Sequence, residues 1–395
     1  MYRKVLCAVL LVLALAAPAA PATAAPGRHA QLQAALAAEH AAGMPGVYAV
    51  VRDGTQSWGV AAGVADVRTG RPVQPWFRHR VGSITKSFVA TTVLQLAGER
   101  RVRLDAPIAT YLPDLLPGDL GKQVTVRMLL QHTSGIGNYT DTIEPTIEGL
   151  EAIRKRTFTP EELVATGLSL PPTNAPGAGW SYSNTNFIIL GLLIERVTRH
   201  PVESEIGRRI LRPLGLRDTY LPGTDLYIRG PHDNAYIPEP NGALHDFTLF
   251  DMSSAWAAGA LISTPADLNR FYRALLTGRL LSRGLLAQME TTVPFDPAHP
   301  AAGGYGLGLY WLELPCGRFW GHDGAVIGQS TRSLHSLDGR RQLTMAENLN
   351  NYPTPSPIDD ARNAFVVEAL CGGGTARTAQ VPAPATMTRP DLIAR

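Results

Sequence analysis

Apolar and polar positions follow two different periods along this chain. Near the amino terminus, two short apolar runs flank Asp53-Gly54, a dipeptide typical of a tight hairpin turn. Runs of this kind return after Gly303, and Asp338-Gly339 indicates a second hairpin. The strands predicted from the pattern are Val47–Val51, Trp58–Val64, Gly306–Leu314, Phe319–Gly324, Arg332–Leu337 and Gln342–Asn348.

Helical periods fill the long segment between these strands and also flank them on both sides. The predicted helices are Gln31–Ala42, Ile84–Ala97, Val124–Gln131, Pro160–Thr166, Phe187–Thr198, Glu203–Leu211, Pro265–Leu276 and Ile358–Leu370. Strands from both ends predict one sheet built from the two termini, at about 28–80 and 300–371. The segment at about 81–299 is then a helical region inserted into a single domain, 26–371.

The first residues differ in composition from the rest. Arg3 and Lys4 precede an unbroken apolar stretch, Val5–Ala17, and small residues follow as far as Ala25. This order predicts a secretory signal peptide over residues 1–25 and therefore an exported, extracellular protein. The alternative is a retained anchor, but the stretch is short for a membrane span, so stable membrane insertion is not expected.

Net charge and cysteine content indicate which partners and which redox state to expect. Without the leader the formal net charge falls from +3 to +1, which does not favour nucleic acid or a charged membrane surface. Cys316 and Cys371 remain, and an even pair in an exported protein predicts a disulfide, with two buried thiols as the alternative. The Gly, Ala, Thr and Pro content of residues 372–395 predicts a flexible tail.

The motif Ser83-Ile84-Thr85-Lys86 carries the most chemical information. Residues three apart share a helix face, so the Lys86 amine can reach the Ser83 hydroxyl, while N–H groups at a helix start favour a developing anion. Lys86 is one of four lysines in a chain that otherwise uses arginine, which cannot release its proton. The motif predicts an activated nucleophile beside an amine base. A helix cap followed by a solvated lysine is the alternative.

Two further motifs offer polar groups to a substrate. Tyr182-Ser183-Asn184 lies just before a predicted helix, where the phenol can relay a proton and the Asn184 carboxamide can bind a peptide-like group. Gly321-His322-Asp323-Gly324 lies in a predicted strand, where glycine suits a backbone that something approaches closely, and His322 offers a donor or a cation. A capped turn and an ordinary strand end are the respective alternatives.

In this order the three motifs resemble the signature of the penicillin-recognising serine hydrolases, in their class C β-lactamase-like branch. The chain is most similar to secreted D-alanyl-D-alanine carboxypeptidases of actinobacteria, over roughly residues 30 to 371. Further stretches that carry the resemblance are Val126–Ile136, Pro176–Phe187, Trp256–Thr264 and Gly304–Gly308. The resemblance implies an α/β sandwich, with an antiparallel sheet flanked by helices and a large all-helical region, and a site in the cleft between them.

The resemblance also implies a role for each motif residue. Ser83 is the expected nucleophile, and Lys86 and Tyr182 handle its proton. Either Lys86 loses its own proton and is the base, or it stays charged and supports Tyr182 as the base. The expected oxyanion hole is formed by the backbone N–H groups of Ser83 and Ala325. The expected substrate-binding residues are Asn184, His322, Asp323, Gly324, Ala325 and Trp256. The branch has a disulfide where Cys316 and Cys371 fall.

Two positions depart from the carboxypeptidase pattern. The branch usually carries threonine at the place of Asp323 and arginine at the place of Tyr310, both for a substrate carboxylate. A negative charge gained and a guanidinium lost make a carboxylate a poorer ligand. We therefore expect an ester, an internal amide or an amine-bearing peptide to suit Asp323 better than a free C-terminal D-alanine.

The sequence thus predicts an exported serine hydrolase that forms an acyl-enzyme on Ser83, with a D-alanyl-D-alanine carboxypeptidase-like D-peptidase as the leading activity. A class C-like β-lactamase, an esterase and a non-catalytic peptide- or penicillin-binding protein are the alternatives. No metal or other cofactor is expected, because the histidines are scattered and neither His-Glu-x-x-His nor Cys-x-x-Cys occurs. The expected partners are small peptide, ester or β-lactam substrates, and a monomer is expected.

Overall fold

The computed structural model describes residues 27–144 and 146–372. The predicted signal peptide and the predicted tail beyond Gly372 lie outside these residues. Within the described ranges, no helix combines the length and the apolar character that a bilayer crossing requires.

A nine-stranded sheet, antiparallel at every paired edge, forms one half of the protein. Its order is β3-β2-β1-β13-β12-β11-β10-β9-β8. The strands of this sheet are β1 Gly46–Asp53, β2 Gln56–Asp66, β3 Arg71–Pro72, β8 Val293–Pro294, β9 Gly303–Tyr305, β10 Tyr310–Leu314, β11 Gly317–Val326, β12 Gln329–His335 and β13 Arg341–Glu347. Two separate two-stranded sheets pair β4 His79–Arg80 with β7 Ile262–Ser263, and β5 Tyr236–Pro238 with β6 Leu244–Asp246. Strand β1 pairs with β13, from Val47 opposite Glu347 to Asp53 opposite Arg341, so the two chain ends meet in the middle of the sheet.

Helices cover both faces of this sheet and fill the inserted region. They are α1 Arg28–Ala41, α2 Thr85–Gly98, α3 Leu120–Gln123, α4 Val126–Gln131, α5 Ile147–Ile153, α6 Pro160–Ser169, α7 Asn184–Thr198, α8 Val202–Ile206, α9 Arg212–Leu214, α10 Trp256–Gly259, α11 Pro265–Leu276, α12 Arg283–Met289 and α13 Pro357–Cys371. Helices α1 and α13 bury Leu36 and Phe365 against one face. Helix α11 lies on the other, where Asn269 donates to the Val50 carbonyl. The predicted α/β sandwich is confirmed.

One predicted strand, Gly306–Leu314, is wrong in its first half. The chain turns between β9 and β10, with the Gly306 N–H donating to the Leu309 carbonyl. Gly308 has a φ of +75°, and a Cβ there would lie 2.3 Å from the Cβ of Ala90 in α2. The break brings the sheet edge into contact with the helix that carries the lysine of the first motif.

Helix α2 lies at the centre of the helical region and is buried around most of its circumference. Its apolar side chains pack within a cluster that also contains α7 and α11, and the rings of Phe88 and Phe271 stack 3.7 Å apart. A three-residue 3₁₀ turn, Gly82–Ile84, leads into it. The segment that carries Ser83 and Lys86 is therefore held on all sides by tertiary packing.

A disulfide joins Cys316 to Cys371 with their Cα atoms 5.4 Å apart. Cys316 lies in the turn between β10 and β11, and Cys371 is the last residue of α13. The bond therefore fastens the closing helix to the edge half of the sheet that carries the third motif.

Replacing both cysteines by serine should lower the free energy of unfolding by about 4 kcal/mol, because the bond closes a loop of 55 residues in the unfolded chain. Denaturant unfolding of the wild type with and without reductant measures the loss. The Cys316→Ser/Cys371→Ser variant is the control, since its stability should not respond to reductant. A wild type that is equally insensitive would contradict the pairing.

Candidate active site

Two side chains meet at the Ser83 hydroxyl, one from Lys86 three residues later and one from Tyr182 in a distant loop. Ser83 Oγ lies 2.9 Å from Lys86 Nζ and 2.8 Å from the Tyr182 hydroxyl. The Ser83 turn is fixed locally, because the Thr85 hydroxyl donates to the Gly82 carbonyl and in turn accepts from the Leu261 N–H. The predicted nucleophile, amine and phenol are thus brought within hydrogen-bond distance of one another.

The Lys86 amine is enclosed by three oxygen atoms. Besides Ser83 Oγ, its Nζ lies 2.7 Å from Asn184 Oδ1 and 2.9 Å from the carbonyl of Ala258, and the residue is fully buried. These acceptors come from the 3₁₀ turn, the first residue of α7 and helix α10. Because an unpaired buried amine is unfavourable, the three contacts also fix the relative positions of the three segments.

Two proton arrangements satisfy this geometry. In one, Lys86 is a neutral amine that accepts the Ser83 proton, donates to Asn184 and Ala258, and leaves the Tyr182 hydroxyl to donate to Ser83. In the other, Lys86 is an ammonium that donates to all three oxygens, and Ser83 donates to a Tyr182 phenolate. Each requires the same heavy-atom contacts. The site can therefore move a proton between serine, lysine and tyrosine without moving its heavy atoms.

The Asn184 side chain is oriented by protein contacts at both ends. Its Oδ1 accepts from Lys86, its Nδ2 donates to the Thr140 hydroxyl at 3.2 Å, and its backbone N–H donates to Asn138 Oδ1 at 2.9 Å. Ser183, before it, does not cap α7 with its side chain and instead donates to the Gly137 carbonyl. The loop before α7 is therefore held by the segment after α4.

Strand β11 and the 3₁₀ turn that carries Ser83 approach so closely that only glycine fits at the contact, as Gly324 in the strand and Gly82 in the turn. A Cβ on Gly324 would lie 1.8 Å from the Val81 carbonyl oxygen and 2.9 Å from the Ser83 nitrogen. A Cβ on Gly82, which has a φ of +52°, would lie 2.6 Å from the Ala325 nitrogen. The contact brings the backbones of Ser83 and Ala325 together, the pair named for the oxyanion hole.

His322 is buried and neutral, so the prediction that it offers a cation is wrong. Its Nε2 lies 2.9 Å from the Tyr305 hydroxyl and its Nδ1 bonds to the Asp323 carbonyl. Burial, reinforced by the nearby charge of Lys86, lowers the pKa of His322 from 6.5 to about 3. With no exposed surface, the ring offers substrate neither a charge nor an accessible donor.

The negative charge that Asp323 adds at this position is paired within the protein. The Oδ2 atom of Asp323 pairs with Arg332, the residue directly opposite on β12, at 2.9 Å. Burial alone would lower the pKa of Arg332, but the charge of Asp323, the nearby Tyr310 and the hydrogen bond to Asp323 together raise that pKa. Tyr310, at the position where the carboxypeptidase branch carries arginine, is fully buried, and its ring lies 5.8 Å from that of Phe295. The pair therefore carries no net charge toward the cleft.

Trp256 is not brought to the nucleophile. Its indole ring contacts Gly191 in the middle of α7, and its Nε1 donates to Glu203 of α8 at 3.0 Å. The predicted substrate contact of Trp256 is corrected accordingly, because the side chain packs within the helical region. It is the carbonyl of Ala258, two residues later, that reaches the site.

Two residues of the site were missed by the sequence analysis. His132 ends α4 in the left-handed conformation and packs its ring 4.3 Å from that of Tyr182. Tyr305, at the end of β9, bonds to both His132 and His322. Both lie in stretches that carry the family resemblance, which is the only signal that marked them. Among the described residues, His, Cys, Asp and Glu do not gather in threes as a metal ion would need.

A cleft between an antiparallel sheet and a helical region, with serine, lysine and tyrosine in contact, defines a penicillin-recognising serine hydrolase. The sequence model of the family described as Beta-lactamase matches residues 32–369, and the chain belongs to this family.

Three known proteins show how the family relates to this chain. A crystal structure of a D-stereospecific amidohydrolase from Streptomyces sp. is 40% identical and superposes with a TM-score of 0.78, covering 88% of this chain and 99% of that one. The D-aminopeptidase of Brucella anthropi is 30% identical over 76% of this chain, which spans only 55% of that enzyme. Penicillin-binding protein 4 of Amycolatopsis lactamdurans is 31% identical, over 68% of this chain and 72% of that protein.

Replacing Gly324 by alanine should lower kcat/KM by about 100-fold or more, because the added Cβ pushes β11 away from the Ser83 turn and separates two oxyanion donors. Gly284→Ala is the matched control, since a Cβ at Gly284 in α12 meets no atom within 4 Å. Steady-state kinetics with one substrate measures both variants. Equal activity in the two would contradict the close contact.

Proposed function

We propose that the protein is an exported D-stereospecific amide hydrolase that acts on small D-aminoacyl amides or peptides through an acyl-enzyme on Ser83. The observation that carries the proposal is the contact of Ser83 Oγ with both Lys86 Nζ and the Tyr182 hydroxyl. The similarity to a D-stereospecific amidohydrolase and a D-aminopeptidase supports the stereochemistry and the amide bond.

In the first half of the reaction Ser83 Oγ bonds to the substrate carbonyl carbon. Its proton passes to Lys86 if that residue is a neutral amine, or to Tyr182 if that residue is a phenolate. The negative charge that develops on the carbonyl oxygen is stabilised by the backbone N–H groups of Ser83 and Ala325. As the C–N bond breaks, the same proton is delivered to the leaving nitrogen through Tyr182.

In the second half water adds to the carbonyl carbon of the Ser83 ester. The Tyr182 and Lys86 pair takes a proton from this water and returns it to Ser83 Oγ as the acid leaves. Asn184, held from both ends, lines the path of the substrate amide. The residues regenerate their starting protonation, so no external acid or base is consumed.

Pairing of Arg332 with Asp323 leaves this part of the cleft without a cation to bind a free C-terminal carboxylate. Asp323 stands where carboxypeptidases hold that group, and Arg332 is already committed to Asp323. A second carboxylate there would meet a guanidinium whose charge Asp323 already neutralises. D-alanyl-D-alanine carboxypeptidase activity is the second candidate, supported by the resemblance of the three motifs to those of the actinobacterial carboxypeptidases.

Export is part of the proposal and rests on the predicted leader and on the Cys316–Cys371 disulfide, since such bonds persist in oxidising compartments. Sequencing the amino terminus of protein recovered from culture medium tests it. The expected start lies just after Ala25, and a retained Met1 would contradict it.

Kinetics with D-alanine p-nitroanilide and its L enantiomer test the activity. We expect kcat/KM to favour the D form by about 100-fold or more, the range within which placement of a reacting carbonyl changes rate. Ser83→Ala should abolish turnover of both. Equal rates for the enantiomers would contradict the stereospecificity, and turnover by Ser83→Ala would contradict the acyl-enzyme.

Releasing Arg332 should change substrate preference. In Asp323→Thr the guanidinium loses its partner and can attract a carboxylate, so the kcat/KM ratio of D-alanyl-D-alanine to its C-terminal amide should rise by about tenfold. In Asp323→Thr/Arg332→Gln the ratio should return toward the wild-type value. An unchanged ratio in the single variant would show that the Asp323 pair does not control carboxylate binding.

A further inference from the structure

We propose that His132, Tyr305 and His322 form a hydrogen-bonded chain of fixed direction that positions Tyr182 against strand β11. The inference rests on the proposed function, because its consequence is the alignment of the proton-transfer group with the oxyanion strand. The three residues touch neither substrate nor the reacting atoms, so they are positioning residues.

The proton of His132 is fixed by the groups that surround Nδ1. The backbone N–H of Ser183 points at this atom at 3.1 Å, and the Asn186 amide nitrogen lies 3.3 Å from it. The Asn186 carboxamide is oriented by the Ser134 hydroxyl, which donates to its oxygen. With two donors converging, Nδ1 must be the lone-pair nitrogen, so a neutral His132 carries its proton on Nε2.

The position of the His132 proton determines the donors and acceptors in the rest of the hydrogen-bonded chain. The His132 Nε2–H donates to the Tyr305 hydroxyl at 3.2 Å, which leaves the Tyr305 proton for His322 Nε2 at 2.9 Å. A neutral His322 then carries its own proton on Nδ1, where it donates to the Asp323 carbonyl. The two histidines must therefore be opposite tautomers, and Tyr305 is the one hydroxyl between them.

The ends of this chain are the two parts of the site that have to stay aligned. Ser183 directly follows Tyr182, and the Asp323 carbonyl directly precedes Gly324, which contacts the Ser83 turn. The chain crosses from the loop before α7, in the helical region, to β11, in the sheet. Both rings are fully buried, so water does not compete for these bonds.

Neutral imidazoles are a requirement of the arrangement. An imidazolium has a donor on each nitrogen and cannot accept from Ser183 or from Tyr305. Burial and the charge of Lys86 lower the pKa of both His132 and His322, and burial raises the pKa of Tyr305. Both imidazoles and the phenol therefore stay neutral, as this series of hydrogen bonds requires.

The direct test is ¹⁵N NMR of the histidine rings in the full-length protein at neutral pH, assigned with His132→Gln and His322→Gln variants. We expect a proton on Nε2 of His132 and on Nδ1 of His322. The same tautomer in both rings, or an imidazolium in either, would contradict the proposed hydrogen-bonded chain. This readout does not depend on any substrate, so it stands or falls separately from the proposed function.

The functional test is Tyr305→Phe, which removes the bridging hydroxyl and keeps the ring. We expect kcat to fall by about 10- to 100-fold, the effect of a small misplacement of reacting groups, with KM changed by less than about threefold. Tyr48→Phe is the matched control, since Tyr48 is an equally buried tyrosine whose hydroxyl bonds to Asp233 at 3.0 Å, on the other side of the sheet centre.

Tyr305→Phe loses two buried hydrogen bonds to neutral imidazoles, and Tyr48→Phe loses one to a carboxylate, which is stronger. Each variant should therefore lower Tm by about 2–4 °C. Loss of kcat in Tyr305→Phe alone supports a positioning role. Equal kcat values in the two variants, or a loss confined to KM, would overturn it. If the wild type turns over no D-aminoacyl amide while the predicted tautomers are observed, the proposed function fails and the hydrogen-bonded chain does not.

Discussion

Burial of the Lys86 side chain is the constraint on which the rest of the site depends. An amine without exposed surface must find hydrogen-bond partners inside the protein, and here it finds them in Ser83, Asn184 and Ala258. Those oxygens belong to three separate segments. The residue that we propose to activate Ser83 therefore also connects these three segments, and its removal would change their positions as well as the charge of the site.

The charges around this amine are arranged so that little else competes with it. The two nearest imidazoles are neutral because they are buried beside it. The carboxylate of Asp323, on the strand that closes the cleft, is matched by Arg332. Because the effective dielectric constant of a buried site is low, a proton that moves within it interacts strongly with neighbouring charges. We therefore expect proton transfer among Ser83, Lys86 and Tyr182 to meet little competition from these neighbouring groups.

The sequence predicted the parts whose signals are local. Helix α11 was placed to the residue, because Thr264 caps it and a proline begins it. Ser83 and Tyr182 were paired by their motifs although they are 99 residues apart. The break after Gly306 was missed because it depends on the close contact of Gly308 with Ala90 of α2, which lies far away in the sequence. The Asp323–Arg332 pair was missed because the register of β12, which begins at Gln329, decides which residue lies opposite. Tyr305 and His132 acquire a role only through contacts that no local pattern encodes.

Acylation of Ser83 can be observed by intact-protein mass spectrometry of enzyme quenched in acid during turnover of a D-alanine ester, followed by peptide mapping. We expect a D-alanyl adduct on Ser83 that Ser83→Ala lacks and that the L ester does not form. An adduct on another residue, or turnover by Ser83→Ala without one, would contradict it.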